Sequence, residues 1–131
     1  MVSAKFHAQT CQRLLVCGLA GYLDRTREKG YFGHNILDLF SLLDDTGTAF
    51  CIHDLPGKAS PVTATGSFVY VRFHGAQKIY TSPYSDQELE TWAGRLKGYA
   101  EKSLDVYAYF NNDIGGHAVE NAKTLKSMLA Q

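Results

Sequence analysis

The sequence predicts an α/β fold of parallel strand–helix units, on three observations. From residue 34 onward the segments follow one another in the order helix, strand, strand, helix, strand, helix. The strand-like segments are short, unbroken apolar runs, as expected of strands buried on both faces of a parallel sheet. The 131 residues, 45% of them hydrophobic, suit a single domain over 1–131 that buries roughly two-thirds of its extended surface.

Each element has a local reason. In HNILDLFSLLDD (34–45), Ile36, Leu37, Leu39, Phe40, Leu42 and Leu43 fall at the spacing of a mostly buried helix, with Asn35 as its cap and Gly47 beyond its end. TAFCIHD (48–54) reads as a buried strand closed by a Leu-Pro-Gly turn. SFVYVRFH (67–74), rich in valine and aromatic residues and closed by Gly75, is the strongest strand signal. A helix opens at Ser85, where Glu88 completes a capping box and Leu89, Trp92, Ala93 and Leu96 share one face. DVYAYFNND (105–113) is a third strand, followed by Gly115 and Gly116. In HAVENAKTLKSML (117–129), Ala118, Ala122, Leu125 and Leu129 form one helical stripe. The connection 55–66 is too short for an ordinary crossover helix, so an irregular or single-turn crossover is expected there. QRLLVCGLAGYL (12–23) fits a strand or a buried helix equally well.

Composition narrows the function classes. Thirteen basic residues balance thirteen acidic ones, leaving no excess of positive charge for nucleic acid. No apolar run reaches the length of a bilayer span, and the N-terminus lacks a secretory signal pattern. Cys11, Cys17 and Cys51 are odd in number and form no CxxC pair, which suits reduced thiols and a cytoplasmic setting.

All three strands end in polar residues: His53-Asp54, Arg72-Phe73-His74, and Asn111-Asn112-Asp113. In parallel α/β folds such ends form the active face. Alternation places Arg72 and His74 with Phe68 and Tyr70, and Asn111 with Tyr107 and Tyr109, while Asn112 falls on the other side. Arg72 either forms a structural ion pair with Asp54 or Asp113, or presents its planar fork to a phosphate or carboxylate. His74 is either a core histidine or a general acid or base. Tyr80 and Tyr84 either wall a pocket or cover a sheet edge. His53, Asp54, His74 and Asp113 include metal-ligand types, but no short motif fixes a geometry, and neither a metal nor a cofactor is expected. Gly115 and Gly116 before a helix are a weak anion-cradle signal.

VYVRFHG (69–75), Tyr80, YSDQELETWA (84–93), DVYAYFNND (105–113) and Asn121-Ala122, with AFCIHD (49–54) before them, resemble the YecE-like family, also filed as domain of unknown function 72. The resemblance covers 32–131 and leaves 1–31 as a divergent N-terminal segment. It implies a TIM-type barrel of about 250 residues, of which this chain matches the C-terminal half, a partial barrel. The family's signature of an acidic residue, Phe, Arg, His, Pro, Ser and Trp is absent; REKGYF (27–32) is its nearest counterpart, with Glu28 in place of histidine. An open half-barrel leaves sheet edges and an apolar interior to be covered. Self-association as a dimer or higher, an extra strand or helix from residues 1–30 on one edge, or docking onto a separate N-terminal half would cover them.

Two functions follow as expectations. In one, the chain binds a small anionic or phosphorylated ligand at the strand ends, with hydrolase- or lyase-type chemistry: His74 and Asp54 are the catalytic candidates, and Arg72, His53, Asn111, Asn112, Asp113 and Tyr84 contact the ligand. In the other, it is a non-catalytic truncated barrel that serves as an oligomeric or interaction module. Whether the chain is an enzyme is left open between them. No partner nucleic acid or membrane is expected.

Overall fold

The computed structural model describes residues 36–131. Asn35, segment 12–23, REKGYF and the two N-terminal cysteines lie outside the described residues.

Helix α1 (Ile36–Asp45) ends where Gly47 adopts φ +66°, a left-handed conformation that glycine takes without a Cβ clash. Thr46 seals the last turn by donating from Oγ1 to the Leu42 and Leu43 carbonyls. The helix is less buried than its pattern predicts. Only Leu43 is fully buried, Leu39 and Phe40 pack partly on the core, and Leu37 and Leu42 are exposed.

Strands β1 (Cys51–Asp54), β2 (Phe68–Phe73) and β3 (Asp105–Phe110) form a parallel sheet in the order β1-β2-β3. His53 lies opposite Arg72, and Arg72 opposite Tyr109. The ladder runs one residue past the strands, with His74 donating from its backbone to the Asp54 carbonyl and Asn111 to that of Phe73. The crossover between β1 and β2 contains no helix, as its length predicts. Hydrogen bonds shape it instead. The His53 N–H donates to Ser60 Oγ at 2.8 Å, and the Ser60 N–H returns to the His53 carbonyl at 3.0 Å. That exchange covers the outer edge of β1 at His53, where an open edge was expected. Thr65 Oγ1 accepts from Phe50 N and donates to the Thr48 carbonyl, tying the start of β2 to that of β1.

Helix α2 (Asp86–Ala100) starts with the expected capping box: Ser85 Oγ accepts from Glu88 N, and the Glu88 carboxylate accepts from Ser85 N. Its four predicted core residues are all buried. Helix α3 (His117–Leu129) buries Ala118, Asn121 and Leu125, while Ala122 and Leu129 are half-buried, so the stripe is rotated from the one expected.

Alternation divides the sheet. Phe50, Ile52, Val69, Val71 and Phe73 face the helices and form one core with Leu43, Leu89, Trp92, Leu96 and Leu125. The opposite face carries Cys51, His53, Phe68, Tyr70, Arg72, Tyr107 and Tyr109. Cross-strand ring pairs run up it, Phe68–Tyr107 at 5.5 Å and Tyr70–Tyr109 at 5.2 Å. An apolar interior was expected here; the face is instead aromatic below and polar at the C-terminal end. Among the described residues no helix is long and apolar enough to cross a membrane.

Candidate functional site

The parallel register brings His53, Arg72, His74 and Asn111 to the C-terminal end of this aromatic face. Arg72 Nε donates to Asn111 Oδ1 at 3.0 Å. Asn111 lies two residues past the register mate of Arg72, just beyond β3, and Asp54 is turned to the other face of the sheet. His53 and His74 are 8% and 6% exposed, their rings stacked 24° from parallel, with His53 Nδ1 3.3 Å from His74 Nε2.

That contact has a consequence for protons. A neutral imidazole carries one N–H and one lone pair. Sharing one hydrogen between the inner nitrogens leaves one outer nitrogen a donor and the other an acceptor, in either tautomer. Those outer atoms, His53 Nε2 and His74 Nδ1, are buried without a hydrogen-bond partner among the described residues. Native interiors rarely leave such atoms unmatched.

Burial, then the Arg72 guanidinium and then His53, lower the His74 imidazole to about 4. Burial and Arg72 depress His53 as well. At neutral pH the pair is therefore uncharged. Stability should follow. The unfolded chain takes up protons below the ordinary value of 6.5, and the folded chain does not until about 4. The contribution is complete above that ordinary value and is lost as pH falls toward the folded one, by on the order of 2 kcal/mol. Urea unfolding at pH 7 and pH 5 should show this loss, and a His53→Gln/His74→Gln variant should lose less over the same interval.

The remaining predicted residues go elsewhere. Asp54 was expected to orient His74 or to act as a base itself, but alternation turns it to the helix side, where Trp92 Nε1 donates to its Oδ2 at 3.0 Å. Burial raises its pKa above the carboxylate norm despite that bond. The ring partner of His74 is His53. Asn112 was expected to touch ligand; it is 0% exposed behind the sheet and donates to the Ser82 carbonyl and to Asn121 Oδ1. Tyr84 is also a core residue rather than a pocket wall. Its ring packs on Phe73 and Phe110, and its hydroxyl accepts from Gly75 N and donates to the Asp54 carbonyl. Asp113 is exposed in the loop after β3. Two residues were not foreseen in these roles: Trp92, which holds Asp54, and Asn121, which accepts from Tyr84 N and donates to its carbonyl. A buried asparagine next to an alanine on a helix was the available signal. Among the described residues no group of three or more His, Cys, Asp or Glu side chains is placed to hold a metal ion.

Residues 25–131 match the family described as "Protein of unknown function DUF72". The chain belongs to the DUF72 family. It is similar to the UPF0759 protein YunF of Bacillus subtilis (strain 168), at 34% identity over 74 residues, covering 45% of this chain and 26% of that protein. Two solved DUF72 structures share its fold over 86% of its length. One, from Thermotoga maritima MSB8, has 24% identity and a TM-score of 0.66 over 52% of its own chain. The other, from Enterococcus faecalis V583, has 21% identity and a TM-score of 0.68 over 53% of its chain. This DUF72 chain thus spans about half the length of those structures and about a quarter of YunF.

Proposed function

We propose that this DUF72 chain binds a small anionic or phosphorylated ligand at the C-terminal ends of its strands and carries out acid–base chemistry of hydrolase or lyase type there. The observation that supports this best is the buried, neutral His53–His74 pair beside Arg72, with both outer ring nitrogens unpartnered. Each unmatched buried atom costs about 1 to 3 kcal/mol, which a ligand oxygen would recover at the donor nitrogen and a ligand hydroxyl at the acceptor. Arg72 supplies the positive charge and planar donors suited to a phosphoryl or carboxylate group. Asn111, by accepting from Nε, sets the plane in which the guanidinium lies. The histidine pair would then take a proton from the ligand.

Calorimetric titration with inorganic phosphate tests the reading. Arg72→Lys keeps the charge but removes the fork, and should weaken phosphate by about tenfold or more. Equal affinity in both proteins, or none in the wild type, would sink it. The competing reading, a module without chemistry, draws on the Arg72–Asn111 bond as a purely structural contact. It expects Arg72→Met to lower stability in a protein that binds no phosphate.

The sheet is proposed to be half of a TIM-type barrel, completed by a second copy or by a separate N-terminal half. The length relation to the solved relatives and the outer edge of β3, which pairs with no strand among the described residues, support this. Light scattering on a size-exclusion column should give a dimer mass or larger, stable to dilution. A monomer at every concentration would count against self-completion.

A further inference from the structure

Tyr80 is the one part of the His74 surroundings that the preceding proposal leaves unused, and its backbone is unusual. It stands at φ +65°, a left-handed conformation in which a bulky aromatic side chain is a true outlier. Such strain persists only where the surroundings over-determine it, and it gathers at ligand sites.

The surroundings do over-determine it. Tyr80 N donates to the His74 carbonyl at 2.6 Å, closing the loop 75–80 on itself, and Ile114 N donates to the Tyr80 carbonyl at 3.2 Å from the loop after β3. Gly75, at φ +109°, starts the loop so tightly that an added Cβ would lie 2.5 Å from the Lys78 carbonyl oxygen. Ser82 Oγ fills the loop centre, accepting from Gln77 N and Lys78 N and donating to the Lys78 carbonyl. The result is a compact loop that presents one strained ring.

That ring meets His74 edge to face, centroids 5.7 Å apart, yet remains 49% exposed. Ile79 beside it and Ile114 across the loop contact are 47% and 61% exposed. Tyr80 borders the imidazole, while Ile79 precedes it in the loop and Ile114 is tied to it through the main chain. Isolated apolar side chains on a surface need no explanation, but three grouped around one strained loop do.

We infer that Tyr80, with Ile79 and Ile114, forms an apolar subsite next to the anion position, so that the ligand is an amphipathic anion: a phosphate or carboxylate joined to a flat or apolar body that lies against the Tyr80 ring. The inference rests on the anion-binding reading and specifies its substrate class. Arg72 takes the charged end, and the exposed face of Tyr80 takes the body. Ring-on-ring contact of this kind is worth about three- to tenfold in affinity.

Calorimetry on the whole chain with inorganic phosphate and phenyl phosphate tests it. The wild type should bind phenyl phosphate about three- to tenfold more tightly than inorganic phosphate. Tyr80→Gly should bring that ratio to about one while raising the melting temperature, since glycine relieves the backbone strain. Tyr80→Asn, which also tolerates the left-handed region, repeats the measurement if the glycine variant folds poorly. A ratio near one in the wild type, or one that survives in these variants, overturns the subsite while leaving the anion site standing. Binding of neither probe overturns both.

Discussion

Phe73→Ala should be the most damaging single substitution in the described fold, at about 3 to 5 kcal/mol. Phe73 is 0% exposed at the end of the central strand, which among the described residues is the one strand with a neighbour on each side. Its ring stacks on Phe110 of β3 at 4.5 Å and meets Trp92 of α2 and Tyr84 of the preceding loop edge-on at 5.0 and 5.5 Å. Truncation removes the contact point of a strand, a helix and a loop together. The three remaining rings are themselves held elsewhere: Trp92 donates to Asp54, Tyr84 binds Gly75 and Asp54, and Phe110 belongs to the ladder. They cannot collapse inward, so most of the cavity should persist. Denaturant unfolding measures this directly. A loss under about 1 kcal/mol would mean that the sheet–helix interface does not centre on this ring.

Asn121→Ala should cost about 2 to 4 kcal/mol, for a polar reason. Asn121 Oδ1 accepts from Tyr84 N at 3.0 Å and from Asn112 Nδ2 at 2.9 Å, and its Nδ2 donates to the Tyr84 carbonyl at 3.1 Å. Alanine leaves both main-chain groups of Tyr84 buried and unmatched; Asn112 keeps its bond to the Ser82 carbonyl. The amide of Asn121 imitates a strand neighbour, giving an isolated loop residue the two bonds it would have in a sheet. Combining the change with Asn112→Ala should cost less than the sum of the two, because they share a bond. Strict additivity would show that the amides act separately. Either variant should also loosen the loop that carries Tyr80, since Asn112 and Tyr84 hold its C-terminal end at Ser82 and beyond.

Much of this architecture was legible in the sequence because its signals are local. Ser85 and Glu88 need only a three-residue spacing, and the apolar stripe from Leu89 to Leu96 needs only a helical period. The run from Phe68 to Phe73 names itself as a strand by composition. What was not legible depends on elements distant in the chain. His53 and Asp54 are both polar and adjacent, and only the register with β2, set across an irregular crossover, shows which of them meets His74. Asn121 and Ala122 lie one step apart on α3, and a rotation of that size exchanges an exposed asparagine for a buried one. The partner that decides between them is the main chain of Tyr84, to which no side-chain pattern refers. The left-handed Tyr80 has no sequence signature, since a bulky aromatic residue is one that conformation disfavours.

Each strand end contributes neighbouring residues to opposite tasks: His53 and Asp54, Arg72 and Phe73, Asn111 and Asn112. The sheet therefore has a reading frame of two, and the site and the core are written in its alternate letters. Deleting one residue within β2 upstream of Arg72 would send the guanidinium into the Trp92 pocket and Phe73 to the face of Tyr70 and His53, exchanging both sets at once. No point substitution does as much. In this chain the strand ends should therefore tolerate replacement better than gain or loss of a residue, which connections such as 55–59, where neither frame is read, should absorb.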